Sequence, residues 1–113
     1  MVALNPEITR RALAAAVALR REGVVRAVYV FGSHIDGRAD QWSDIDVAAF
    51  MDGVETWDLV RRTDVIVRVQ KEVGFDVEPH LLPACTLAAP EPGSFAAYVI
   101  DHGIAVGNDA PGS

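Results

Sequence analysis

Val24-Val25-Arg26-Ala27-Val28-Tyr29-Val30-Phe31 is the segment that most limits the folds open to this chain. It is rich in β-branched and aromatic side chains and reads as a largely buried strand. A buried strand needs cover, and the flanking segments supply it as helices. Asn5 is placed to cap a first helix, with Pro6 where a missing N–H is harmless and Glu7 at the positive end of the dipole. Ile8, Ala12, Ala15 and Leu19 then share one helical face, and Gly23 is a natural stop. Gly32-Ser33 breaks the buried strand, and a polar stretch runs to Ser43. A second strand is predicted from Asp44 to Met51, with Ile45, Val47, Ala49 and Met51 alternating against Asp44, Asp46, Ala48 and Phe50. Asp52-Gly53 ends it.

The segment Val54 to Val73 is ambiguous. Trp57, Val60 and Val67 suit a helix, whereas Val65-Ile66-Val67-Arg68-Val69 could pass for a strand. Charges dispersed at helical intervals, and a stop at Gly74, decide for helix. Phe75 to Leu82 reads as a third strand ended by Pro83. A Pro- and Ala-rich loop from Pro83 to Gly93 leads to a short helix, Ser94 to His102, closed by Gly103. Ile104-Ala105-Val106 adds a small edge strand. Strands alternating with helices argue for an α/β (α+β) domain whose sheet is covered by helices. A length of 113 residues with 50% hydrophobic content suits one such domain, residues 1–107, followed by a flexible tail over 108–113.

A net charge of −6 opposes an extended nucleic-acid surface, because phosphate binding needs clustered Lys and Arg. The basic pairs Arg10-Arg11, Arg20-Arg21 and Arg61-Arg62 look like solvated helix surface. Acidity does not exclude a mononucleotide, which brings its own cations to meet carboxylates. With one cysteine, Cys85, neither an internal disulfide nor a Cys-based zinc site can form, and a half-buried structural thiol is expected. No apolar run approaches the ~20 residues that span a bilayer, and the start lacks the features of a signal peptide. A soluble, cytoplasmic protein is the expectation.

The chemistry concentrates between Gly32 and Asp46. On a strand, Asp44 and Asp46 point to the same face, and two such carboxylates repel unless a cation such as Mg²⁺ or Mn²⁺ neutralises them. Alone the pair is a weak signal, and ordinary surface acids at a strand start account for it more readily. Gly32-Ser33 strengthens it. This dipeptide lies where a buried strand hands over to a helix start, where free N–H groups favour an anion. Gly32 lets a phosphate approach the backbone, and Ser33 can donate a hydroxyl. A phosphate cradle followed by a metal-binding pair is what a nucleoside triphosphate and its Mg²⁺ require.

These residues resemble the nucleotidyltransferase superfamily that includes DNA polymerase β, and most closely its minimal nucleotidyltransferase branch. The branch pattern is Gly-Ser, ten residues, then Asp-x-Asp, and Gly32-Ser33, His34 to Ser43, and Asp44-Ile45-Asp46 fit it without a gap. Gly37 and Ser43 match its finer forms. The resemblance implies a nucleotidyltransferase fold, with a small mixed sheet of three to four strands flanked by helices. It also implies a third carboxylate on a later strand. Asp76, in an apolar-Asp-apolar setting, is the first choice, and Glu78 is the reserve. One departure is Asp36, where many members carry Arg; an acid beside a triphosphate is unfavourable unless it turns away or binds a cation, and Arg38 is the nearest replacement charge.

The activity so implied is transfer of AMP from ATP to a hydroxyl, with two Mg²⁺ ions held by Asp44, Asp46 and Asp76 and the nucleotide held by Gly32, Ser33 and Ser43. A chain of this size resembles the antitoxins that AMPylate a tyrosine of a cognate HEPN toxin, and an acidic surface suits a basic partner. The alternatives are a non-catalytic toxin-binding or nucleotide-sensing module and a small-molecule adenylyltransferase of the aminoglycoside type. The remaining aromatic residues and histidines take plainer roles. His34 is an exposed loop histidine with nucleotide contact as the alternative, and His80 and His102 have no ligand partners at suitable sequence spacing. Trp42 is placed near the base, Trp57 in the core, and Phe95 and Tyr98 in the packing of the last helix.

Overall fold

A computed structural model describes residues 5–37 and 43–107 of the chain. Helix α1 runs over Pro6–Arg20, and the Asn5 side chain accepts a hydrogen bond from the Glu7 N–H at 2.8 Å, the cap expected of it. Ala12, Ala15, Ala16, Ala18 and Leu19 are buried, so the helix meets the sheet mostly through small side chains. Strand β1 follows at Val25–Phe31, then a single helical turn, α2, at Ser33–Asp36, and strand β2 at Ile45–Met51. The expectations placed on the Asp36 side chain, on Arg38, on Trp42 and on the 108–113 tail fall outside the described residues.

Three strand and helix starts move relative to the sequence reading. Asp44 precedes β2 rather than opening it. The segment after Gly53 is a 3-10 turn at Val54–Thr56, then an extended Trp57, and only then helix α3 at Leu59–Val73. Asp58 caps α3, its carboxylate accepting from the Arg61 N–H at 2.8 Å. The helix buries Val65 and Val69 but leaves Val60 exposed, so Val60 is not a core position. Strand β3 spans Val77–Pro83, which leaves Phe75 and Asp76 in the turn before it. A short helix α4 at Cys85–Ala88, helix α5 at Phe95–His102 and strand β4 at Ile104–Val106 complete the order. Ser94 caps α5 by accepting from the Ala97 N–H at 3.1 Å. Cys85 is exposed rather than half-buried.

The four strands form one mixed sheet in the order β3-β2-β1-β4. β1 pairs antiparallel with β2 and with β4, while β2 and β3 run parallel, joined through α3. Val47, Ala48, Ala49, Phe50 and Met51 are all fully buried, so the central strand β2 is covered on both faces. Ile45, Val47, Ala49 and Met51 pack with α1 and α3; Ala48 and Phe50 pack with Phe31, Ala96 and Val99 under α5. Alternation along β2 therefore sorts residues between two cores, not between core and water. β3 is an edge strand, which is where Pro79 is tolerated within a ladder. No helix among the described residues is long and apolar enough to cross a membrane.

Candidate active site

The second residue of β2, Asp46, faces the α5 side of the sheet, by the same alternation that sends Ala48 and Phe50 there. Its neighbour on β1 is Phe31 and its neighbour on β3 is Glu78. Because β2 and β3 are parallel and in register, the side chains of Asp46 and Glu78 stand side by side on one face. His80 is two residues further along β3, on that same face, opposite Ala48. Its Nε2 lies 3.3 Å from Asp46 Oδ1 and 3.5 Å from Glu78 Oε1. One ligand atom from each of the three residues falls within 4.8 Å of the others. The side chains of Asp46 and His80 are about a quarter to a third exposed, and that of Glu78 is half exposed, so the group opens to solvent.

Gly32 closes the group from the β1 side. Its φ is 85°, and a Cβ added there would stand 2.4 Å from Asp46 Oδ2. Both the backbone conformation and the carboxylate require glycine at this position. The approach that Gly32 permits is thus to Asp46 itself, in addition to any approach it allows to phosphate. α2 begins immediately after it, at Ser33, and consists of one turn. His34 is half-buried rather than an exposed loop residue, and its Nε2 donates to the Ser43 carbonyl at 3.2 Å, tying α2 to the entry of β2.

The structure does not gather all the acids singled out from the sequence. Asp44 is exposed, outside the strand, and is not in the Asp46–Glu78–His80 group. Its backbone stands one residue before the β2 ladder, which begins at Ile45. Asp76 is also absent from the group. It is held instead by Arg11 of α1, whose Nη1 donates to Asp76 Oδ2 at 2.7 Å and whose Nη2 donates to the Val73 carbonyl at 2.7 Å. That hydrogen-bonded guanidinium holds the Asp76 carboxyl below its ordinary value of 3.8. Asp76 lies in the turn, where β alternation no longer dictates direction, and the nearest cation captures it. Glu78, the reserve choice, is the acid that β3 delivers to Asp46.

His80 is the residue that sequence spacing missed. Its partners come from β2 and from Glu78, and no spacing rule along one segment reports a neighbouring strand. Glu78-Pro79-His80 did carry a usable signal: two donors two residues apart on a strand share a face. His102, by contrast, stacks on Tyr98 at 4.7 Å at the end of α5. Two carboxylates and an imidazole, half open to water beside a glycine, form a donor set that fits a divalent cation.

The family model for "Polymerase beta, Nucleotidyltransferase" matches residues 16–79, which is more than half of the 113-residue chain. The chain belongs to the polymerase β nucleotidyltransferase family. The matched span takes in Gly32, Ser33, Asp46 and Glu78 and ends one residue before His80. Among solved structures, a Sulfolobus solfataricus protein provisionally assigned as a nucleotidyltransferase aligns with a TM-score of 0.51 at 23% identity, covering 73% of this chain and 76% of that one. This likeness is one of fold. A toxin-antitoxin structure with AMP-PNP aligns with a TM-score of 0.43 at 23% identity, over 68% of this chain and 58% of that one. No curated protein matches the chain.

Proposed function

We propose that the chain transfers AMP from ATP to a hydroxyl acceptor, with a protein tyrosine on a cognate HEPN-type toxin as that acceptor. The observation that carries the nucleotidyl-transfer part is the convergence of Asp46, Glu78 and His80 beside Gly32, in a chain of this family. In this reading Asp46 is the central metal-binding carboxylate and Glu78 takes the role first given to Asp76. Asp44, one residue before the strand ladder, closes on the same site when nucleotide arrives. Asp46 and Glu78 would hold divalent cations, Mg²⁺ in the usual scheme, which would lower the pKa of the acceptor hydroxyl and neutralise the triphosphate. The backbone N–H groups after Gly32, with the Ser33 hydroxyl and the Ser43 segment, hold the phosphates in line. The acceptor oxygen forms a bond to the α-phosphorus as the α–β bridging bond breaks. Pyrophosphate leaves, and the hydroxyl proton passes to the half-exposed Glu78 carboxylate.

The tyrosine acceptor is supported by a groove of about 320 Å³ that abuts the site through His80. Leu59, Ile66, Leu82 and Phe95 line it, an apolar seat for a ring whose hydroxyl must reach the carboxylates. The toxin partner rests on the sequence resemblance and on an acidic chain meeting a basic protein. With α-labelled ATP and a co-expressed helical partner, label should appear on the partner's tyrosine and fall about a hundredfold or more in Asp46→Ala. Label on a small molecule instead would redirect the acceptor assignment. The capture of Asp76 by Arg11 favours one second reading, a toxin-binding module without catalysis. That module would neutralise its partner equally well after Asp46→Ala, with no label transferred by either form.

A further inference from the structure

We infer that His80 is a direct ligand of the bound cation, making this a two-carboxylate, one-imidazole centre selective for Mn²⁺-type transition ions over Mg²⁺. The inference rests on the metal-binding part of the proposed function and adds the identity of a ligand and of the ion class. His80 lies outside the span matched by the family model, so its role is argued from this chain's own geometry.

Three observations carry it. The first is distance. Nε2 stands 3.3 Å from Asp46 Oδ1 and 3.5 Å from Glu78 Oε1, longer than the ~2.8 Å of a good charge-assisted hydrogen bond to either. Ligand atoms at right angles around an ion, with bonds of about 2.1 Å, are separated by about 3 Å. The two separations from Nε2 are thus nearer to those of neighbours around a common ion than to that of a donor serving one acceptor.

The second is orientation. The imidazole is wedged between Phe31, at 5.1 Å between ring centroids and an interplanar angle of 64°, and Phe95, at 5.7 Å. Phe31 and Phe95 also meet each other edge to face at 5.4 Å, so the wedge is braced. Between them they hold the ring with Nε2 toward the carboxylates, at the small entropic cost expected of a preset ligand. Leu81, the next residue, is anchored in the opposite core and fixes the strand from which His80 projects. The third is the division of Asp46. Oδ1 faces His80 while Oδ2 occupies the space that Gly32 leaves by lacking a Cβ. The carboxylate is therefore locked in the orientation that presents Oδ1 to the shared point.

Ion preference follows from donor chemistry. Mg²⁺ is a hard ion that favours oxygen ligands and keeps its waters, whereas imidazole nitrogen suits first-row transition ions. Replacing one oxygen ligand by nitrogen shifts the balance toward Mn²⁺ and its heavier neighbours.

The test uses the full chain loaded with Mn²⁺, with pulsed electron paramagnetic resonance reading whether a nitrogen nucleus is bonded to the ion. The wild type should show echo modulation from a directly coordinated ¹⁴N, and His80→Ala should lose it. By calorimetric titration at one pH, Mn²⁺ should bind the wild type at least about tenfold more tightly than Mg²⁺. His80→Ala should lower Mn²⁺ affinity about tenfold and alter Mg²⁺ affinity less than about threefold. The wild-type spectrum does not depend on any variant folding. Absence of ¹⁴N modulation in the wild type, or equal affinities for the two ions, overturns the imidazole assignment while leaving a carboxylate metal site intact. Mn²⁺ binding that is unchanged in Asp46→Asn, or no binding at all, overturns both this assignment and the reading on which it rests.

Discussion

Gly32 shows how much one missing methyl can decide. Its backbone is in the left-handed region and the space of its absent Cβ is filled by an Asp46 carboxylate oxygen. Gly32→Ala should destabilise the fold by about 1–3 kcal/mol in urea melts, because strain and collision act together. It should also displace Asp46, so divalent-ion affinity should fall more than that of a surface Gly→Ala control; unchanged affinity would refute the packing argument. Asp76 offers the complementary case, an acid committed to structure. The Arg11 hydrogen bond keeps its folded pKa below the ordinary value of 3.8, so the stability from this pair is complete above that value. It is lost as pH falls through the depressed folded value. Arg11→Gln should therefore be less stable than the wild type at pH 7, with the gap closing in acid below about pH 4. A gap that stays constant down to pH 2 would show that the pair contributes by packing alone.

At the scale of elements, caps place the helices that shape the site. α5 brings Phe95 against His80, and Ser94 fixes where that helix begins. Ser94→Ala should cost about 1 kcal/mol of stability. The same change should loosen the brace on the imidazole, a coupling that Asp58→Ala, at the cap of α3, should not share despite a similar cost in stability. Comparing the divalent-ion affinities of the two variants checks this; equal losses would mean that Phe95 does not orient the ring. The turn that ends α1 is further joined to α3 by Arg68–Glu22 and Arg21–Glu72 pairs on the surface. Such surface pairs add little stability, since salt and water compete for both partners.

For the whole molecule, a cation bound at the proposed site would be the counterweight to a net charge of −6 and to two carboxylates held side by side. A ligand that binds only the folded state stabilises it by mass action, about 2.7 kcal/mol at one hundred times its dissociation constant. Mn²⁺ should accordingly raise the melting temperature by several degrees, EDTA should reverse the rise, and Asp46→Asn should abolish it. A melting temperature indifferent to Mn²⁺ would argue against any folded-state metal site. The sheet is a suitable platform for such a site because β2 is buried on both faces, which leaves little freedom to the strand that carries Asp46.

Local chemistry made much of this molecule legible in its sequence. Asn5 and Ser94 announced helix starts, Gly32 announced the end of β1, and the Gly-Ser to Asp-x-Asp spacing announced the family. These are effects of a few adjacent residues on their own backbone, so no fold is needed to read them. Asp44 and the start of α3 were displaced by a few residues, since propensity does not locate where hydrogen bonding begins. The partners of Asp46 were decided only by tertiary structure. Parallel pairing across α3 sets Glu78 beside Asp46, a turn surrenders Asp76 to Arg11, and two aromatic rings from β1 and α5 aim His80. Each of these contacts joins residues distant along the chain, and their register is set by the packing of both cores at once, which no single stretch of sequence encodes.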